Sequence, residues 1–214
     1  MRSLTAELGL SGRVGGQTLR GRVLAGLAEG GDARLEAVAP FGAPVFILVA
    51  RANRATLVLP REARVLSGQP PAAILDALVG VDVSPDNLRA LVAGCPVVGE
   101  KAVAGRAYAD GWAAVDLAGG GTAYLRRGGA RWRIAASAGN DLAVEYREPV
   151  DGFPRRLRVW SDTAGARRAA VDLAVTISQL ETNVRIDPAA FDVQVPPDAV
   201  PLTLDELRRM GWSK

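Results

Sequence analysis

Histidine is absent from these 214 residues, and that absence removes whole classes of chemistry. No Ser-His or Cys-His nucleophile pair can be assembled, and no imidazole is available to hold zinc, copper or iron. Cys95 is the only cysteine, which excludes an intramolecular disulfide and a thiolate cluster. Aromatic residues make up 5% of the chain, so its interior must be built mainly from Val, Leu and Ala. No stretch approaches the ~18 consecutive apolar residues of a membrane-spanning helix. The opening residues, Met1 to Leu8, lack the basic and apolar regions of a signal peptide.

What is present is a chain that is 49% hydrophobic, with 26 basic against 23 acidic residues. A net charge of +3 is too small a bias to imply a nucleic-acid partner. Nearly all the basic residues are arginine, Lys101 and Lys214 being the lysines, which reads as the mark of a GC-rich coding genome. There is no linker, no repeat of fixed period and no low-complexity tract, so one domain is expected over 1–214.

A short helix is expected over Ser3 to Leu10, with Ser3 as N-cap and Glu7 following. Short apolar alternations separated by turn residues then predict an antiparallel meander. Its strands include Leu19 to Leu27, Arg34 to Ala39, Val45 to Val49 and Ala55 to Leu59. Val45 to Val49 is apolar on both faces, as in a sheet covered on both sides. Two short helices follow: Ile74, Leu75, Leu78 and Val79 after Pro70-Pro71, then Leu88, Leu91 and Val92 after Ser84-Pro85, ended by Gly94 and Pro96. The meander resumes with strands at Val103–Tyr108, Gly111–Leu117, Thr122–Arg127, Arg131–Ala136, Leu142–Glu148, Arg155–Ser161, Ala170–Gln179 and Phe191–Val195. Gly119-Gly120-Gly121, Gly128-Gly129 and Gly139-Asn140-Asp141 supply turns, and Leu204 to Met210 a last helix.

The most telling stretch is Arg34 to Gly94. Its first strand ends in Pro40-Phe41-Gly42-Ala43-Pro44, which fixes a phenylalanine at a turn that would ordinarily be polar. Such a tip suits entry into something apolar, against the plainer reading of a ring folded back on the sheet. Pro40-Phe41-Gly42, the helix through Leu78 to Gly80, Ser84-Pro85, Leu88-Arg89 and Gly94 together resemble the LolA/LolB family of outer-membrane lipoprotein carriers and receptors. Trp132, Tyr146, Phe153-Pro154 and Leu157 extend the likeness in style. The lipobox and anchor cysteine of the receptor are missing, and the segment from Val184 to Lys214 extends beyond it.

The resemblance implies an α+β fold, a strongly curved antiparallel β-sheet forming an unclosed half-barrel, with short helices packed in its mouth. A hydrophobic cavity between sheet and helices would receive acyl chains. Its lining would be Phe46, Leu48, Leu57, Leu75, Leu78, Leu88, Leu91, Trp132, Tyr146 and Trp160, while Pro40, Phe41 and Gly42 would form a membrane-contact loop. The implied partners are acyl chains of lipoproteins or phospholipids, the bacterial outer membrane and a periplasmic carrier protein. No cofactor, metal or catalytic residue is implied. Taken literally the chain reads as cytoplasmic, but the resemblance favours a lipoprotein on the periplasmic side of the outer membrane whose signal and anchor cysteine lie outside this sequence. The alternative is a regulatory or scaffold lipoprotein of the same fold that transfers nothing.

Other features have plain readings. The arginine runs Arg126-Arg127, Arg155-Arg156-Arg158 and Arg167-Arg168 suit solvated strand edges, with attraction to anionic headgroups as the lesser alternative. Gly119-Gly120-Gly121 lacks the Lys-Ser/Thr of a phosphate loop, and Ser137 has no histidine to activate it. The pairs Asp82/Asp86 and Asp110/Asp116 match no calcium loop. Asp116, Glu145 and Asp172 alternate with apolar residues, as water-facing strand positions do.

Overall fold

Period-two alternation governs the chain from its first residues. Leu4, Ala6 and Leu8 are buried and share one face of a strand, β1 (Ser3–Val14), where the Ser3 capping pattern predicts a helix. The alternation prevails because β1 finds antiparallel partners on both sides, which satisfies its backbone as fully as a helix would. The computed structural model describes residues 1–39, 41–95, 101–139, 142–161 and 170–210. Pro40, Pro96, Asn140, Asp141, Arg167 and Arg168 lie outside the described residues.

After β1 come β2 (Gln17–Ala28), β3 (Ala33–Val38), β4 (Phe46–Arg51), β5 (Arg54–Leu59) and β6 (Arg64–Gln69), then α1 (Pro71–Val79) and α2 (Pro85–Val92). A second run holds β7 (Ala102–Tyr108), β8 (Trp112–Leu117), β9 (Thr122–Gly128), β10 (Arg131–Gly139), β11 (Leu142–Arg147), β12 (Arg156–Trp160) and β13 (Val171–Thr182). The chain closes with β14 (Val200–Pro201) and α3 (Leu204–Met210). All the strands form one sheet in the order β14-β6-β5-β4-β3-β2-β1-β13-β12-β11-β10-β9-β8-β7. Two meanders are thus welded through the long β1–β13 pair, and β14 and β7 remain as opposite edges, so the curved sheet is an unclosed half-barrel. Every pairing is antiparallel except the short β14–β6 contact.

The helices are placed by their ends. Pro71 opens α1, and Gly80 closes it in the left-handed region, φ 69°, its N–H donating to the Asp76 carbonyl at 2.9 Å. Ser84 caps α2 by accepting from the Asn87 N–H at 3.2 Å, and Pro85 takes the first helical position. Arg89 is buried and pins α2 to the start of β1, donating to the Arg2 carbonyl and to the Asp86 carboxylate, each at 2.8 Å. Ile74, Leu75 and Leu78 of α1 and Val92 of α2 pack on Leu8, Leu35, Leu48 and Leu57 of the sheet. That face is the concave one.

Beyond β13 the chain crosses to the convex side. The expected strand at Phe191–Val195 does not form. Instead Asp187 accepts from the Ala189 N–H at 2.9 Å and starts a 3₁₀ turn, Pro188–Phe191, which lies against β3 and β4. There Phe191 is buried, and Arg34 holds the turn through the carbonyls of Ala190 and Asp192 at 3.1 and 3.2 Å. The convex residues Val49 and Val58 are buried too, in keeping with the two-sided apolar pattern of β4 and β5.

Gly80→Ala should destabilise the fold by about 1–3 kcal/mol in urea unfolding, from left-handed strain and close contact. A Cβ there would come within 2.8 Å of Val14 and 3.0 Å of Val171. An unchanged midpoint would mean that α1 does not seat on β1 and β13 as described.

Candidate functional site

The mouth of the half-barrel is unevenly filled. Over β1 to β6 and β12–β13 the helices close it: Phe46, Leu48 and Leu57 of the sheet and Leu75 and Leu78 of α1 are buried in one cluster. Leu88 and Leu91 of α2 are half-buried at the margin of that cluster. Leu91 also meets a second, smaller cluster made by Leu19, Val81, Val144, Val159, Val171 and Leu173. Tyr146 of β11 joins both clusters. Neither cluster takes in a side chain from β7 to β10.

Over that second wing the concave face is apolar and half-exposed. The pairing registers set Ala113, Leu125 and Ile134 in one row, and Val115, Ala123, Ser137 and Val144 in the next. The latter row continues through Val159 into the packed half of the sheet. Of these, Val115, Leu125 and Ile134 keep partial exposure, and Leu142 lies beside them. Apart from Arg127, the charges of this wing sit on the opposite face: Arg106 clasps Asp116 at 2.6 and 2.8 Å, with Thr122 donating to the same carboxylate at 3.0 Å. Those hydrogen bonds hold the Asp116 carboxyl below the usual range. Asp172 is lowered likewise by Arg158, and Glu145 by Arg147. The expectation that these three acids face water agrees with the register.

Tyr146 stands where the packed and open halves meet. Burial pushes its phenol up to about 12, against a lowering hydrogen bond with Ser137. A Cβ on Gly94, in the left-handed region at φ 67°, would come within 2.9 Å of Pro154 and 3.9 Å of the Tyr146 ring, so the end of α2 seats closely here.

The other expected lining residues fall differently. Trp132 shares the concave side with Arg127, near the far end of β10, and is 48% exposed. Trp160 is a correction: it pairs with Asp172 and Ala143, opposite in parity to the inward Leu157 and Val159, so it faces the convex side. Arg158 lies over its ring at 5.4 Å. Sequence reasoning missed Val115, Leu125, Ile134 and Leu142. Their signal was available in the alternation of the predicted strands, but only the register shows which parity faces the mouth.

At one end of the strands, Phe41 stands 90% exposed. Arg61 braces its turn, donating to the Phe41 carbonyl at 3.0 Å and to the Ala43 carbonyl at 3.1 Å. Gly42 follows in the left-handed region at φ 78°. The ring is not folded back on the sheet.

No family model and no curated protein matches the chain. Solved structures do. LolA superfamily protein NE2245 from Nitrosomonas europaea aligns with TM-score 0.57 at 8% identity, over 90% of each chain. A DUF1329 family protein from Desulfovibrio piger aligns with TM-score 0.56 at 14% identity, over 89% of this chain and 90% of that one. A domain described as outer membrane lipoprotein-sorting, from Vibrio parahaemolyticus, gives TM-score 0.51 at 11% identity, over 89% and 88%. The chain therefore has the LolA-like fold, α+β with an unclosed curved sheet.

In a phenolate absorbance titration, Tyr146→Phe should remove a step near pH 12. Because the folded value lies above the ordinary one near 10, neutral Tyr146 favours the fold below about pH 10, and this contribution is lost as pH rises toward the folded value. Loss of a lower step instead would put the ring in water.

Proposed function

We propose that this protein carries or receives acyl chains of lipoproteins or phospholipids at the bacterial envelope, on the periplasmic side of the outer membrane, and performs no chemistry on them. The half-exposed apolar concave wing carries this reading: Val115, Leu125, Ile134 and Leu142, the last packed on the same cluster as Leu91 of α2. Leu91 and Tyr146 join that wing to the packed half, where Leu88 lies at the margin, and the Tyr146 and Ser137 hydroxyls are the polar groups between them. One fatty chain of about 14 methylenes at about 0.8 kcal/mol each offers on the order of 11 kcal/mol gross. Ordering and association costs reduce this substantially, as a site that must release its cargo requires. The LolA-like fold supports the reading. In it the whole chain acts as a single domain, and the Phe41 turn is the membrane-contact loop.

Native mass spectrometry with lipid extraction tests it on protein purified from a bacterial host. Phospholipid or fatty acid at near-unit stoichiometry, displaced by a fluorescent fatty acid, is the expected result. Val115→Glu with Ile134→Glu should weaken probe binding at least about tenfold, by placing charge in the apolar wing, while Trp160→Ala on the convex face leaves it unchanged. A clean apo mass with no probe binding would overturn the carrier and favour a scaffold that transfers nothing.

Phe41→Glu should preserve the fold and probe binding yet slow transfer of bound probe to vesicles. Equal transfer by the variant would remove the loop from the mechanism.

A further inference from the structure

The convex face carries a feature that acyl binding does not use. Reading straight across β12, β13, β1 and β2, one register row runs Arg156, Thr176, Gly9, Arg22 and the next runs Arg158, Ala174, Ser11, Arg20. The two middle strands offer only small side chains, and the two outer strands offer arginines. The result is a trough with a low floor and basic banks, about 14 Å between the outer strands at three interstrand spacings. Arg13 stands at its end, in the row that holds Asp172 and Trp160. Two adjoining hollows mark it, of about 370 and about 570 Å³. The larger continues past Val38 and Ala39 to Val45 and Arg61, the residue that braces the Phe41 turn.

The banks are only partly neutralised. Arg158 is held by Asp172 at 2.9 and 3.0 Å, Arg156 by Glu148 at 3.2 Å, Arg147 by Glu145 at 2.8 Å, and Arg22 reaches Glu7 at 3.7 Å. Among the described residues, no carboxylate pairs with Arg13 or Arg20, both of which are exposed. These two lie at the end of the strands where Phe41 projects. Exposed arginines above a floor without bulk can meet phosphate groups closely and through paired N–H donors.

We propose that this trough is the surface the protein lays against the phosphates of an anionic bilayer, with the Phe41 ring entering the acyl layer beside it. The proposal rests on the membrane-contact reading of the Phe41 turn and adds its electrostatic half. An exposed ring alone gives weak, unselective adsorption. An adjoining basic surface adds a term that depends on anionic lipid and is screened by salt. The pair would orient the half-barrel, bringing its Phe41 end to the surface.

Co-sedimentation of the whole chain with vesicles tests this, using phosphatidylcholine alone and phosphatidylcholine with one third phosphatidylglycerol, at low and high salt. Wild type should bind the anionic vesicles preferentially and lose that preference at high salt. Arg13→Glu with Arg20→Glu should lower anionic-vesicle binding about tenfold or more, on the scale set by two reversed charges at a membrane surface. Arg131→Glu with Arg133→Glu, at the far end of the strands, changes net charge equally and should change binding little. Circular dichroism confirms that each variant is folded. Equal losses from the two pairs would reduce the effect to net charge and overturn the trough. Unselective binding of both vesicles, abolished by Phe41→Glu alone, would also overturn it while leaving the membrane loop standing. No binding of wild type to either vesicle would remove the membrane reading itself.

Discussion

The pairing of β1 with β13 is the constraint on which the molecule depends. These two strands lie far apart in sequence, yet their register runs from Leu4 opposite Thr182 to Val14 opposite Val171. Without it the chain is two unconnected meanders, β1 to β6 and β7 to β13. With it, Leu8 and Leu10 face the same side as Ile177 and Val175, and the concave core becomes continuous from β6 to β11. Gly12 permits the pairing at its tightest point, since a Cβ there would lie 2.1 Å from the Asp172 carbonyl oxygen. The entropy of closing so long a loop is offset by the apolar rows that the pairing buries on both sides.

The core that follows is asymmetric, with one half of the mouth packed and the other left open. The helices spend their apolar faces on β1 to β5 and on β12–β13, where leucines meet them. The rows of β8 to β10 carry alanine, valine and single larger residues, and the buried clusters stop short of them. On the proposed reading, the packed half holds the shape while the open half takes the acyl chain. The tail beyond β13 reinforces the packed half on both faces: Phe191 lies on the convex face, β14 covers the edge of β6, and Leu207 of α3 enters the concave core.

The two faces of β1, β2 and β13 carry different chemistry because a strand has only two sides. Each inward leucine or valine obliges its neighbour to face outward, and toward the Phe41 end the outward positions are mostly glycine, serine, threonine, alanine and arginine, with Glu7, Leu24 and Asp172 among them. The basic trough is therefore the other face of the core, built from the alternate rows of the same strands. Its position at the Phe41 end follows from chain direction, since β3 runs toward that turn and β2 runs away from it.

Much was legible in the sequence. Turn residues and alternation marked the hairpins from β2 to β5 and from β7 to β11, and Pro71, Gly80, Ser84 and Pro85 marked both helix ends, because caps and turns are local chemistry. The unusual Phe41 tip was visible for the same reason. Ser3 to Leu10 misled because a local capping pattern competed with an alternation whose partners lie in β2 and, far along the chain, β13. Phe191 misled because its burial comes from contact with β3 and β4, not from a strand of its own. Trp160 looked like a lining residue until pairing with Asp172 fixed its parity. The sequence by itself thus determined most of the hairpins, the three helices and the chemistry that is excluded, but not β1, β6 or β14. Only the tertiary structure decided which side of each strand faces the mouth, which half of the mouth stays open, and that arginines distant in sequence share one trough. Those properties depend on register between strands that meet only when the whole sheet assembles.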